Sequence, residues 1–510
     1  MKRLLKLYST KYTILPMLAA VVSLSSCEKD LENKLRNDTY ADTYWKNERE
    51  ANSALAGTYS LFRKAHVTNQ AFFIWGDGPI GIMTSKESTN YTGIYTGGNF
   101  VTPYREEGVH NWKNWYRIVD AASAAIENIP KIPDDQFEPG RKSYLLGEAY
   151  FLRALAYFYM TRVWGDLPLQ TEATTTAGQG VLKGRTSTEE ILKFIMTDAQ
   201  KASSLLTWEG INTEGRRRAS KAAALALLAH TTAWENDYAK TILYTDSIIN
   251  RADYFTLQGR DAIRDVFKDA TARENIFVIT NKDAENESSA FSQALGTDNN
   301  NSCSVGFLTV SSDIIRNMPY AVPTYFGETP KLDLLYEVST NPNDIRRTQF
   351  FRSTNTPDVN SLMKYSDVVY KNPASSSDPR TESNMVIFRL ADMILLKAEA
   401  LEATSRPGEA LIEMNKVRAR AGANPVSSTI NLKRTILQER QRELVGEGQN
   451  YFDIVRNIRI SGNYTLVSLL TSWSMDRTRF EQKGYLFPIH NSNINTNRLI
   501  TQNPYWMGRY

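Results

Sequence analysis

Residues 144–164, YLLGEAYFLRALAYFYMTRVW, most constrain what this chain can fold into. Apolar side chains recur with helical spacing yet cover nearly the whole circumference, so a helix here has to be enclosed on most sides. Gly165 and Pro168 in WGDLPL end it. The same 3.6-residue period runs through most of 47–250 and 384–460. Ala51, Ala54, Leu55, Tyr59 and Phe62 form one stripe; Trp112, Trp115, Tyr116, Val119, Ile126 and Ile129 form another. Ser187 and Glu190 have the spacing of a capping box for the next helix, which carries Ile191, Ile195, Ala202 and Leu205.

Two stretches read as helical hairpins. In 219–250, Ala222, Ala226, Ala229 and Ala233 give a small-residue face, and Glu235-Asn236-Asp237 links to a helix with Tyr238, Ile242 and Ile249. The second pairs Leu390, Ile394, Ala398 and Leu401 with Ala410, Met414, Val417 and Ala421 across Arg406-Pro407-Gly408. Two helices in roughly 32–34 residues with a small-residue face are the signature of a tetratricopeptide-like unit. These units are divergent and not contiguous, which argues against a simple solenoid. Between about 253 and 384 the period fades into Asn-, Ser-, Pro- and Gly-rich segments with short strand-like pieces such as IFVIT at 276–280. A smaller loop-rich stretch covers 68–105. Long loops in a compact protein that hold aromatic residues read as functional.

The N-terminus reads as an address. Lys2, Arg3, Lys6 and Lys11 precede an apolar run, Ile14 to Leu24, too short to span a bilayer, and Leu24-Ser25-Ser26-Cys27 has the form of a lipoprotein cleavage site. Cleavage there would leave Cys27 for acylation, and two or three acyl chains hold a protein stably on a membrane. Residues 1–26 are therefore expected to be a signal peptide and 27–510 a single domain, with its helical scaffold at about 40–250 and 384–460 and a ligand-binding insert at about 253–384. Formal charge is +4, but the four bases of the signal account for all of it, leaving 56 Lys and Arg against 56 Asp and Glu. Charge thus gives no reason to expect a nucleic-acid partner. Two cysteines exclude a disulfide framework. Cys303 reads as an incidental thiol.

Several motifs in this order resemble the SusD/RagB family of outer-membrane nutrient-binding lipoproteins. They are YWKNEREANSALAGTYSLFR, WYRIVDAASAAIENIP, GEAYFLRALAYFYMTRVWGDLPLQ, SKAAALALLAHTTAW, LLKAEALEA followed by GEALIEMNKVRARAG, QERQRELVGEGQNYFDIVR, and GYLFPIHNSNINTNRLITQNPYW. His490 stands where the last motif more often has proline. The resemblance implies a mostly α SusD-like fold, with four tetratricopeptide-like helix pairs packed against an irregular loop-rich half with few short strands. It also implies a cell-surface protein that binds oligosaccharides, or in some members peptides, and delivers them to a SusC-like TonB-dependent transporter.

No catalytic residue, cofactor or metal site is expected. Glu439, Glu443 and Glu447 lie four apart on one helical face; they could be an acid–base pair for glycosidic cleavage, but with Arg440, Arg442 and Arg456 they read better as a structural network. The four histidines lack ligand spacing, and Asp298-Asn299-Asn300-Asn301 lacks a bidentate Glu for calcium, reading as a solvated loop. Arg216-Arg217-Arg218 reads as a loop charge cluster. Glycan capture rests on rings that stack on C–H faces and on polar groups for hydroxyls. Stripe aromatics (Trp112, Trp115, Tyr157, Trp164, Trp234) read as core, whereas loop aromatics are the candidates. The expected ligand-binding residues are Trp75, Asp77, Tyr95, Asn99, Tyr320 and Tyr325, with Tyr91, Phe100 and Phe326 in the same loops. The competing functions are peptide capture, a lipid-anchored hydrolase, and an adhesin or scaffold without small ligands.

Overall fold

The computed structural model describes residues 44–68, 70–85, 93–94, 100–101, 109–174, 181–210, 215–285, 287, 305–469 and 475–510. Cys27, Tyr91, Tyr95, Asn99, Asp298–Asn301 and Cys303 lie outside the described residues. Asn47–Tyr510 form one compact unit, and of the residues before it only 44–46 are described.

The scaffold is built from α1 (Glu48–Val67), α2 (Lys113–Asn128), α3 (Arg141–Trp164), α4 (Thr188–Leu205), α5 (Lys221–Trp234), α6 (Tyr238–Ile249), α7 (Leu390–Ala403) and α8 (Pro407–Ala421). Each helix packs on the next, giving the four pairs α1/α2, α3/α4, α5/α6 and α7/α8. Local chemistry explains the boundaries. Asn47, Ser187, Ser220 and Asp237 each accept a first-turn backbone N–H from their side chains. Pro407 begins α8, where its missing N–H costs nothing, so the turn before it is 404–406 rather than Arg406–Gly408.

Helix α3 is buried from Phe151 to Trp164 without a break, as its all-round apolar pattern requires. Gly147 lets α3 approach the end of α4, where a Cβ would press on Leu205 and Leu206. Trp112, Trp115, Tyr157, Trp164 and Trp234 are all buried, in line with their stripe positions.

Two further helices, α9 (Leu432–Leu444) and α10 (Asn450–Ser461), follow the fourth pair. The segment between α6 and α7 supplies most of the strand. β1 (Met83–Ser85), β3 (Tyr325–Glu328), β4 (Phe351–Ser353) and β5 (Val359–Leu362) make an antiparallel sheet of order β1-β3-β5-β4, with Ser85 opposite Tyr325 and Met83 opposite Gly327. β2 (Asn275–Ile279) pairs with β8 (Met385–Arg389), and β8 runs directly into α7. β6 (Val368–Asn372) and β7 (Ser377–Thr381) form a separate hairpin.

Buried charge joins this irregular half to the scaffold. Arg346 bonds Asp344, Glu439 and Glu443; Arg389 bonds Glu274, Glu443 and Glu447; Lys364 bonds Glu447 at 2.6 Å. On the scaffold side, Arg440 bridges Asp392 and Asp453, and Arg456 bridges Glu399 and Asp453. The like charges along α9 are thus each opposed by arginine. Burial alone would raise the Glu439 carboxyl, but Arg346, Arg442 and Arg418 outweigh it and hold it at about 2. The Arg216–Arg218 cluster is likewise engaged. Arg216 donates to the carbonyls of Asn275, Thr271 and Tyr254, Arg217 pairs with Glu285, and Arg218 with Glu148.

Candidate functional site

The structure brings Trp75, Asp77 and Tyr325 into one neighbourhood but gives each of them structural work. The segment AFFIWG forms a short buried helix, Ala71–Gly76. Trp75 is 1% exposed, donates from Nε1 to the Val109 carbonyl at 3.0 Å, and meets Trp164 edge-on at 5.3 Å. Such a ring has no face to lend to a sugar.

Asp77, 2% exposed, accepts backbone N–H bonds from Gly446 at 3.0 Å and Gly448 at 2.6 Å. Burial raises its carboxyl to about 7, against the pull of those two donors. Gly76 lies so close to Gly448 that a Cβ would overlap its backbone. Tyr325, 2% exposed, donates to Gln70 Oε1 at 3.1 Å and packs its ring on Phe73. These three residues are therefore reassigned from ligand contacts to buried structural positions. Phe100 is also buried, stacked on Phe487 at 4.4 Å with 12° between the planes. Tyr320 and Phe326 are half-buried.

One signal in the sequence pointed to this outcome. Five consecutive apolar residues, Ala71–Trp75, form a run of the kind that belongs to a segment buried on all sides.

A second place offers the geometry these buried residues lack. An open cleft of about 670 Å³ lies between the start of α2, residues 168–174 and 181–183, and the short helix Asn491–Thr496. Its walls are tied to one another by hydrogen bonds. Tyr116 donates its hydroxyl to the Pro168 carbonyl at 2.6 Å, and Asp120 accepts the Thr174 N–H at 2.7 Å. Asn111 donates to Ser492 Oγ at 3.2 Å, and Asn497 donates to the Lys183 carbonyl at 2.9 Å.

Half-buried Tyr116, with Trp112 at 7% exposure beside it, supplies aromatic surface. Gln170, Asn493, Ser492 and Thr496 supply amide and hydroxyl groups, and Lys113, Arg117, Lys183 and Asp120 supply charge. A volume in the range of small-ligand sites and a mixed lining suit a polyhydroxylated molecule held by stacking and hydrogen bonds. Sequence reasoning missed these residues because they come from three stretches far apart in the chain. Trp112 and Tyr116 were visible only as members of a helical stripe.

The acid–base alternative finds no free pair on α9. Glu439 and Glu443 are fully buried, and each is bonded to more than one arginine. Among the described residues, no group of three or more His, Cys, Asp or Glu could hold a metal ion. Also among the described residues, no helix is long and apolar enough to cross a membrane.

Comparison with known proteins bears on the fold and the family. A family model described as the SusD family matches residues 346–506, and one described as starch-binding associating with outer membrane matches 82–232. A SusD-like protein of Formosa agariphila is 28% identical over 467 residues, covering 85% of this chain and 88% of its own. A SusD superfamily structure from Bacteroides thetaiotaomicron superposes with a TM-score of 0.75 at 24% identity, covering 91% of this chain and 99% of its own. A SusD homologue from the same organism gives 0.74 at 23% identity, covering 92% and 100%. The mostly helical architecture with few short strands is the one these structures share.

Proposed function

The chain belongs to the SusD/RagB family, and on that premise we propose that it is a cell-surface lipoprotein that binds oligosaccharides and delivers them to a SusC-like TonB-dependent outer-membrane transporter. The observation that carries the binding half is the cleft between α2, residues 168–174 and 181–183, and Asn491–Thr496. Its mixture of aromatic surface, amides and hydroxyls is the chemistry that recognises a pyranose, with rings against C–H faces and polar side chains on hydroxyls.

The delivery half is supported by the family and by the outer-membrane association in the description of the model matching 82–232. The anchor is proposed at Cys27, on the form of the segment ending in Leu24-Ser25-Ser26-Cys27. Tyr320, together with Tyr95 and Asn99, stays a candidate ligand contact on the sequence pattern. Locking of the α9 carboxylates by arginine supports a binding role over hydrolysis.

Calorimetric titration of the purified protein with a panel of oligosaccharides and peptides tests this reading. The expected result is saturable heat with one or more saccharides and no cleavage products on analysis of the mixture. Heat with peptides alone favours the peptide-binding alternative, and cleavage abolished by substituting a carboxylate favours the hydrolase. Association with the transporter but no heat from any ligand favours a scaffold.

A further inference from the structure

The proposed glycan site has a marked electrostatic sign. Three cations, Lys113, Arg117 and Lys183, line the cleft against one carboxylate, Asp120, which already accepts the Thr174 N–H. Lys113 and Arg117 are exposed and enter no ion pair among the described residues. α2 adds to the same sign. It opens in the cleft wall with no acidic residue in its first turn; the Lys113 N–H is taken at 2.9 Å by the neutral Asn111 Oδ1, so no first-turn carboxylate offsets the positive end of its dipole. General basicity does not explain the excess, because beyond residue 26 the chain has equal numbers of acidic and basic residues.

A second observation is independent of charge. Asn493 lines the cleft, is 8% exposed, and its Nδ2 has no hydrogen-bond partner. A buried amide donor without an acceptor is costly, and a site whose occupant supplies the acceptor removes that cost. At the rim, Val181 and Leu182 are 78% and 53% exposed and give an apolar surface suited to the C–H face of a sugar ring.

We infer that this cleft binds an acidic saccharide, a sugar whose carboxylate lies against Arg117, Lys183 and Lys113 while ring oxygens or hydroxyls accept from Asn493. The inference rests on the glycan-binding reading and adds to it the charge of the ligand. Guanidinium and ammonium groups bond a carboxylate more strongly than a neutral hydroxyl. The acidic ligand therefore gains over a neutral one of the same shape, and salt reduces the gain.

The test titrates the full chain, solubilised in detergent, with galacturonate, glucuronate and mannuronate oligosaccharides and with their carboxyl-reduced counterparts. At least one acidic form is expected to bind about tenfold more tightly than its reduced partner, with the difference shrinking as salt is added. Arg117→Gln and Lys183→Gln should close that difference by weakening the acidic form several-fold more than the reduced form. Asn493→Ala should weaken both forms, with circular dichroism showing an intact fold. Equal or tighter binding of the reduced forms overturns the charge assignment and leaves glycan binding standing. Binding of neither series overturns both. Tighter binding of oligoglutamate than of any acidic saccharide keeps the charge and overturns the sugar.

Discussion

Arg389 is enclosed by Glu274, Glu443 and Glu447, at 2.6, 2.8 and 2.7 Å. Removing one partner from such a buried group leaves the others uncompensated, and this asymmetry outweighs any net value of the pairs themselves. Arg389→Met should therefore lower unfolding free energy by about 3–5 kcal/mol in urea denaturation. Trp75→Ala should cost about 3–5 kcal/mol of stability by the same measurement, because it empties a site between Trp115 and Trp164. Asp77 gives a pH signature. Its folded carboxyl, at about 7, lies above the unfolded value near 3.9, so the folded state holds the proton longer. Stability linked to this group is full below about 4 and falls as pH rises towards 7. Asp77→Asn should flatten that part of the stability–pH profile. At this scale the sequence marked Trp75 and Asp77 by their place in a loop-rich stretch. It could not show that Val109 and the Gly446–Gly448 turn would reach back to cover them.

The helices were legible as elements because their evidence is local. Ser187, Asp237 and the alanine face of α5 sit within a few residues of the boundaries and packing they decide. The sheet was not legible for the opposite reason. β1 has three residues, and its partner β3 comes about 240 residues later, so nothing in MTS announces the pairing. The same distance hid the cleft, whose walls meet only once α2 and the Asn491–Thr496 helix are in place. Elements joined across such distances by buried charge should separate in acid. The Glu439 carboxyl is held at about 2 against an unfolded value near 4.3, so its contribution is full above that value and lost as pH falls from about 4.3 towards 2. Acid titration followed by hydrogen exchange should show protection of α9 amides falling across that window. Gly76→Ala should also loosen a junction between elements, costing about 1–3 kcal/mol through overlap with Gly448, read as a lower Tm.

For the molecule as a whole, the order of the motifs carried the family, and the fold follows it: four helix pairs with an irregular segment entering between the third and fourth. What the order of motifs does not carry is the ligand, because the side chains that line the cleft belong to no motif. The address is testable separately. Cys27→Ala should move the protein from the membrane to the soluble fraction and abolish fatty-acid labelling, and persistent labelling would contradict the anchor. The central claim is that the cleft between α2, residues 168–174 and 181–183, and Asn491–Thr496 receives the saccharide. A crystal structure of the protein with the tightest-binding oligosaccharide tests it most directly. The account predicts sugar density against Tyr116, with the carboxylate beside Arg117 and Lys183 and an acceptor on Asn493 Nδ2. An empty cleft with the sugar seated elsewhere would contradict it.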